Sequence, residues 1–499
     1  MNQKKINITL LNSISSLLYQ ACLVVSNFII PRIILANFGS DVNGLVSSIA
    51  QFLSYISLIE GGITGVVQAS LYKPLHDKDE KKISSIIKTA TNFYRKIGLI
   101  FIAYTLILAV IYPLITNSGF SFVYVATLTV ILSFSLLIQY MMAISIRTLL
   151  NADKKVYVVS FTQIIIALLS VVFAYVSVKI YPSIHLLKVL TGALFLLQPI
   201  IFGRYIGKHY HLDKTAKEDK QLLKNRWDGF AVNLAAFIHN CTDIAILTIF
   251  TDLQTVSIYS VYALVTTGLR GVIQSIARGI TPTIGHSLVG ENRKKLEKDM
   301  DLFEFTIFSL VFILFGVATL LITPFVMIYT NGVTDANYSQ SLFGILILIS
   351  EACYLIREHH VALAYSANKF KEITIPCFIE AGLNVILSLI LVNWLSLIGV
   401  AIGTIIAMSY RSLYQVYFSK KLIGRPVLLF FKNFFLFAIA TGIGIALSII
   451  LIPAVEFNFF SWLWHGAAYL AIIGLCNLVM MLIFYRDELK RLKPVIKLK

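Results

Sequence analysis

Between Tyr72 and Lys96 the chain carries seven Lys and Arg residues, and from Ile97 to Thr116 it reads IGLIFIAYTLILAVIYPLIT with no charge. Wound as an α-helix, a stretch of this length rises about 30 Å, the thickness of a bilayer's hydrocarbon core. A barrel strand crossing the same layer needs about half as many residues and alternates polar with apolar. The stretch therefore selects a membrane-spanning helix, and the rest of the chain repeats it. Of 499 residues 58% are apolar and 13% charged, with mean hydropathy +0.81, a balance that excludes a soluble protein of one or two domains. Apolar runs predict about fourteen spans, beginning near 10–32, 44–69 and 97–116 and ending near 432–454 and 461–485.

The Lys and Arg residues orient these spans, because positively charged loops near span ends stay cytoplasmic. With the amino terminus inside, alternate loops hold 36 of the 42 Lys and Arg, in segments that include 72–96, 147–155, 204–226, 278–298 and the tail from Arg486. Arg32, Lys179 and Lys188 fall on the outer flanks, and Arg270, Arg357 and Arg411 within spans. Both termini are thus expected in the cytoplasm of a multi-pass cytoplasmic-membrane protein. The first apolar run follows Lys4 and Lys5 but ends without a small-residue cleavage site, so it reads as a retained helix. The net charge of +17 follows from this topology and from anionic headgroups rather than from nucleic acid. The five cysteines all fall in spans without metal-ligand spacing.

Offsetting the chain by 213 residues matches Leu75 with Leu288, Lys81-Lys82-Ile83 with Lys294-Lys295-Leu296, and Asn27 with Asn240. Both matched loops follow the second span of their half, as a duplicated six-helix unit requires. The expected organisation is an N-lobe over 1–210, a cytoplasmic linker over 211–228, a C-lobe over 229–420, and two extra helices with a basic tail over 421–499. An even-numbered repeat keeps its orientation, which puts the substrate path between the lobes.

Four runs in the first third resemble one group of proteins: Phe38-Gly39-Ser40-Asp41-Val42-Asn43-Gly44-Leu45, Glu60-Gly61-Gly62-Ile63, Leu71-Tyr72-Lys73-Pro74-Leu75 and Phe93-Tyr94-Arg95-Lys96-Ile97-Gly98. Asn151-Ala152-Asp153-Lys154-Lys155-Val156-Tyr157 and Ile398-Gly399-Val400-Ala401-Ile402-Gly403-Thr404 are similar to its later landmarks. The group is the bacterial polysaccharide flippases, for O-antigen or capsule repeat units, within the multidrug/oligosaccharidyl-lipid/polysaccharide exporters. The resemblance covers nearly the whole chain. It implies an all-α fold of two six-helix lobes, often followed by two extra helices, and a cargo of undecaprenyl-diphosphate-linked oligosaccharide carried by alternating access.

Polar groups inside spans are the candidate site residues, since each is costly in lipid unless it meets a cavity or a partner. On the first helix Asn12, Ser15, Ser16, Tyr19, Gln20, Ser26 and Asn27 share about 140° of arc. That stripe is either a cavity wall or polar glue between helices. Arg270, Arg357 and Arg411 are candidates for gripping a diphosphate with two-donor guanidinium groups, or, for the last two, for pairing with Glu358 or Glu380. The resemblance to lipid II flippases, with cavity arginines on the first and eighth helices, fits Arg270. Asp243 and Glu351 stand where similar multidrug exporters bind a coupling cation on the seventh and tenth helices; they are candidates for Na⁺ or proton coupling or for structural ion pairs. His239 shares a face with Asp243. No cofactor or metal is expected: Asp77-Lys78-Asp79 reads as a solvated turn, and His359-His360 point about 100° apart on a helix, so they need other partners to converge. The same-fold alternative is a cation-coupled multidrug exporter. A glycan polymerase or acyltransferase would need a large outer loop or an acid/base pair, and the short outer breaks hold neither. Partners follow from the cargo: membrane lipids, the lipid-linked oligosaccharide, and polymerase or export machinery.

Overall fold

The computed structural model describes residues 2–496 except 61, 117–118, 214, 220–221, 223–229, 290–292 and 368, and every regular element described is helical. The helices of the first half are α1 (Asn2–Ser54), α2 (Ser57–Glu60), α3 (Ile63–Asp77), α4 (Glu80–Ile115), α5 (Phe122–Ile138), α6 (Ile144–Ala152), α7 (Val156–Ile180), α8 (Ile184–Ala193) and α9 (Leu197–His209). A π-helical turn, Gln139–Ala143, joins α5 to α6, and a 3₁₀ turn, Leu194–Leu196, joins α8 to α9. There follow α10 (Phe230–Phe250), α11 (Leu253–Val289), α12 (Arg293–Tyr329), α13 (Ser341–Leu355), α14 (Glu358–Ser366), α15 (Phe370–Ile423), α16 (Val427–Leu451), α17 (Phe459–Phe484) and α18 (Arg486–Ile496).

Among the described residues, ten helical stretches are long and apolar enough to cross a membrane. Two of them, Leu10–Glu60 and Glu372–Ile423, run past 50 residues, and each contains one residue that breaks the helix. Gly39 (φ 83°) divides α1, and Ser396 (φ 48°) divides α15. Each of these long elements is therefore two spans. The broken helix α13–α14 and α10 supply the other two of the expected fourteen. The run Phe38–Leu45 holds the first of these joints. Gly39 takes a backbone conformation that only glycine adopts readily. At Gly44 a Cβ would fall 1.9 Å from the Leu253 carbonyl oxygen, so α1 touches the start of α11 backbone to backbone. The charged Asp77-Lys78-Asp79 is a helix boundary: Lys78 is left-handed, and the Asp79 carboxylate accepts from the Lys82 N–H at 2.9 Å to cap α4.

The 213-residue offset also aligns helix boundaries well beyond the matched residues. Gly39 divides α1, and α10 and α11 part at Thr251–Asp252. Shifted by 213 residues, the start of α4 at Glu80 falls on the start of α12 at Arg293, and α7 from Val156 falls within a residue of α15 from Phe370. The π-turn ending at Ala143 corresponds to the break between α13 and α14, and the end of α9 at His209 to that of α15 at Ile423.

By packing, the chain divides into two compact units, Met1–Ser257 and Ile258–Lys499. This places α10, expected with the C-lobe, in the first unit, because α10 packs on α1. The core of the first unit runs through Leu45, Ile49, Val67, Tyr94, Phe101 and Leu128. In the second, Phe305, Phe308 and Phe437 meet edge to face, which ties α16 to α12, and α17 packs on both. Large apolar side chains such as Leu17, Leu114, Ile180, Trp394 and Phe460 stay exposed, as a surface solvated by lipid requires.

Candidate ligand cavity and buried charge network

A cavity of about 390 Å³ opens inside the first unit, walled by α1, α5, α6, α7 and α8. Two cations line it, Arg147 from α6 and Lys188 from α8, and its described lining holds no Asp or Glu. Among the described residues neither cation takes part in an ion pair. The remaining polar lining is neutral: Tyr19, Ser26 and Asn27 from α1, Ser135 and Gln139, Gln163 and Ser170 from α7, and Thr191. Gln139 opens the π-turn, whose extra residue per turn widens the helix there. Chemically, this chamber offers two positive charges and many neutral hydrogen-bonding groups to a polar anion, in a volume typical of small-molecule sites.

The first-helix stripe divides between its two readings. Asn12 caps α7: its Nδ2 donates to the Lys154 carbonyl at 2.8 Å and its Oδ1 accepts from the Tyr157 N–H at 2.9 Å. Ser16 meets Ser160 at 3.5 Å, so this end of the stripe binds helix to helix. Tyr19 and Asn27 face the cavity, and Ser26 both lines it and donates to the Ala167 carbonyl at 3.2 Å. Gln20 is exposed and lies outside the lining.

Arg147 and Lys188 escaped the sequence reading because hydropathy put Arg147 in an inner loop and Lys188 on an outer flank. Arg147 sits within α6 and Lys188 within α8, and both line the chamber. The available signal was the pair of intramembrane polar residues Gln139 and Gln163, which share the chamber.

The three arginines singled out from sequence lie in the second unit, and each faces a carboxylate. Arg270 Nε is 3.0 Å from Glu351, with side chains 20% and 7% exposed. Arg357 Nη2 donates to Glu380 at 3.1 Å, and Arg411 Nε lies 3.6 Å from the other oxygen of the same carboxylate. Tyr354 presents its ring to both Arg270 and Arg357, at 5.6 and 4.7 Å. The Gln274 amide donates to Glu358 at 3.0 Å. A coupling-cation candidate, Glu351, is thus bound to a cargo candidate, Arg270. Asp243 is buried on α10 in the first unit, and the side chain of His239 lies outside the described residues. In the repeat register, Ala167 and Gln198 of the first unit stand where the second has Glu380 and Arg411.

The fold is that of an all-helical, multi-pass membrane protein. No family model matches the chain, and no curated protein matches it in sequence. Solved structures do. The lipid II flippase MurJ in an inward closed conformation aligns with a TM-score of 0.73 at 17% identity, over 96% of this chain and 99% of that one. An inward-facing MATE multidrug resistance transporter of the MOP superfamily aligns with a TM-score of 0.62 at 12% identity, over 80% and 94%. The MATE multidrug transporter DinF-BH, solved as a complex, gives 0.61 at 14% identity, over 83% and 95%. At these identities the likeness establishes the fold.

Proposed function

We propose that this protein is a flippase that moves an undecaprenyl-diphosphate-linked oligosaccharide repeat unit across the bacterial cytoplasmic membrane by alternating access, for surface polysaccharide synthesis. The observation that carries the reading is the chamber lined by Arg147 and Lys188 with no carboxylate among its described residues. A diphosphate needs fixed positive charge, and a sugar needs neutral donors and acceptors. The lipid tail can stay in the bilayer while the head is sheltered. A cationic drug would be repelled by this lining, which disfavours the exporter alternative. Arg270, Arg357 and Arg411 then act first as partners of Glu351 and Glu380, and reach cargo only when those pairs open. Any coupling by Na⁺ or protons through Glu351 has to compete with Arg270; Asp243 is a separate coupling candidate in the first unit. The reading is of a carrier rather than an enzyme, with both termini cytoplasmic and a polymerase as the natural recipient of its cargo.

The test is transport of a short-chain polyprenyl-diphosphate oligosaccharide into proteoliposomes, read by a sugar-cleaving enzyme outside. A charge-assisted hydrogen bond contributes about 1.5–3 kcal/mol, so Arg147→Ala and Lys188→Ala should each slow transport roughly tenfold to a hundredfold. Arg147→Lys should recover part of it. Full transport by a well-folded Arg147→Ala/Lys188→Ala variant would refute the proposal.

A further inference from the structure

Glu304 on α12 and His359 and His360 on α14 are 0%, 0% and 1% exposed, and one ligand atom from each lies within 4.8 Å of the others. Adjacent histidines on a regular helix diverge by about 100°. These two lie in the first turn of α14, which starts at Glu358 after α13 ends at Leu355, and their side chains fold toward each other from adjacent helical positions. Their rings stand 3.9 Å apart. His359 Nδ1 and His360 Nε2 are buried with no hydrogen-bond partner among the described residues, a state that native interiors rarely leave without a use.

The surrounding groups hold the three side chains in place. Glu304 Oε1 accepts from Asn433 Nδ2 at 2.6 Å, and Asn433 Oδ1 accepts from the Tyr485 hydroxyl at 2.7 Å. His360 Nδ1 lies 2.8 Å from the Ser419 hydroxyl, and His359 Nε2 2.8 Å from Glu304 Oε2. Arg425 donates to Glu304 Oε2 and, from Nη2, to Asp301 at 2.8 Å. Arg425 opposes a cation here, and Asp301 balances it. A recess of about 120 Å³ is lined by Asp301, Asn433 and Tyr485 of this network together with Lys432 and Glu488.

We propose that Glu304, His359 and His360 form a binding site for a divalent cation of the Zn²⁺, Ni²⁺ or Co²⁺ class. Two imidazoles and one carboxylate suit ions of borderline softness, whereas Mg²⁺ and Ca²⁺ take oxygen ligands. Three protein ligands leave a fourth position to water. With bonds of about 2.0–2.2 Å the ligand atoms settle roughly 3.5 Å apart, so an ion would replace the direct 2.8 Å contact between His359 and Glu304 and hold α12 to α14 through itself. Through Asn433 and Tyr485 it also braces α16 and the end of α17. The outer groups already present are of the kind that orient metal ligands.

The test uses the full chain in detergent, purified on a tag without histidine, stripped with chelator and titrated with Co²⁺. One Co²⁺ per chain should bind, with the intense visible ligand-field absorption of a four-coordinate site, and Zn²⁺ should displace it and raise the melting temperature. His360→Ala should weaken binding at least tenfold, and Asn433→Ala, which removes no ligand, should weaken it by about tenfold to a hundredfold. A His209→Asn/His211→Asn variant should bind as the parent does. Absence of stoichiometric binding in the parent protein would overturn the site whether or not the variants fold. So would unchanged binding in folded His360→Ala or Asn433→Ala.

Discussion

Glu380 is the residue on which the charge network of the second unit turns, and neutralising it yields a sharp expectation. Its two oxygens serve Arg357 at 3.1 Å and Arg411 at 3.6 Å, with all three side chains no more than 8% exposed. In Glu380→Gln the shape is kept, but two buried guanidinium groups lose their counter-charge. Arg411 retains the Ile373 carbonyl at 3.0 Å and Arg357 retains the Tyr354 ring; neither supplies a negative charge. Breaking a buried pair in this way costs about 3–5 kcal/mol. For a cooperative unit the size of Ile258–Lys499 that lowers the melting temperature by roughly 6–10 °C. Removing the orphaned charge should return much of the loss, so Arg357→Gln/Glu380→Gln should melt above Glu380→Gln alone. Arg411→Gln should cost less than either single change at the stronger pair, because Glu380 keeps Arg357. The assay is thermal unfolding of detergent-purified protein followed by intrinsic fluorescence. A Glu380→Gln protein that melts with the parent, or a double variant no better than the single, would refute the reasoning.

Gly44→Ala sets a Cβ 1.9 Å from the Leu253 carbonyl oxygen, backbone against backbone, and should destabilise by about 1–3 kcal/mol or abolish membrane accumulation. Gly268→Ala, with open space at its Cβ, should be silent in the same assay. Asn12→Ala removes both cap bonds at the start of α7 and should cost about 1 kcal/mol, a fall in melting temperature with transport per folded molecule unchanged. Loss of transport in a stable Asn12→Ala protein would instead assign Asn12 to the cargo path.

What the amino-acid sequence settles by itself is whatever depends on near neighbours in the chain. The uncharged run from Ile97 to Thr116 makes a spanning helix wherever it sits, because the transfer of its side chains and backbone into lipid is a local quantity. The same holds for the cap at Asp79 and for the register of the duplication, which the helix boundaries follow from Gly39 to His209. The apolar runs also separate the two crossings on either side of Gly39 and of Ser396, where the fold shows one continuous helical stretch broken at a single residue.

Charge partners were a different matter. Glu351 and Glu380 lie 81 residues on from Arg270 and 23 from Arg357, and nothing in spacing tells a buried arginine that waits for a phosphate from one already neutralised. Arg147 and Lys188 looked like the ends of spans, and only the packing of α5, α6, α7 and α8 around α1 puts them on one chamber. His359 and His360 diverge on any helix drawn from sequence; side-chain packing and Glu304, from a helix 55 residues upstream, place them in one cluster. The physical reason is the same in each case. Lipid compatibility is summed along a segment, whereas pairing energy depends on distances that long-range packing alone decides.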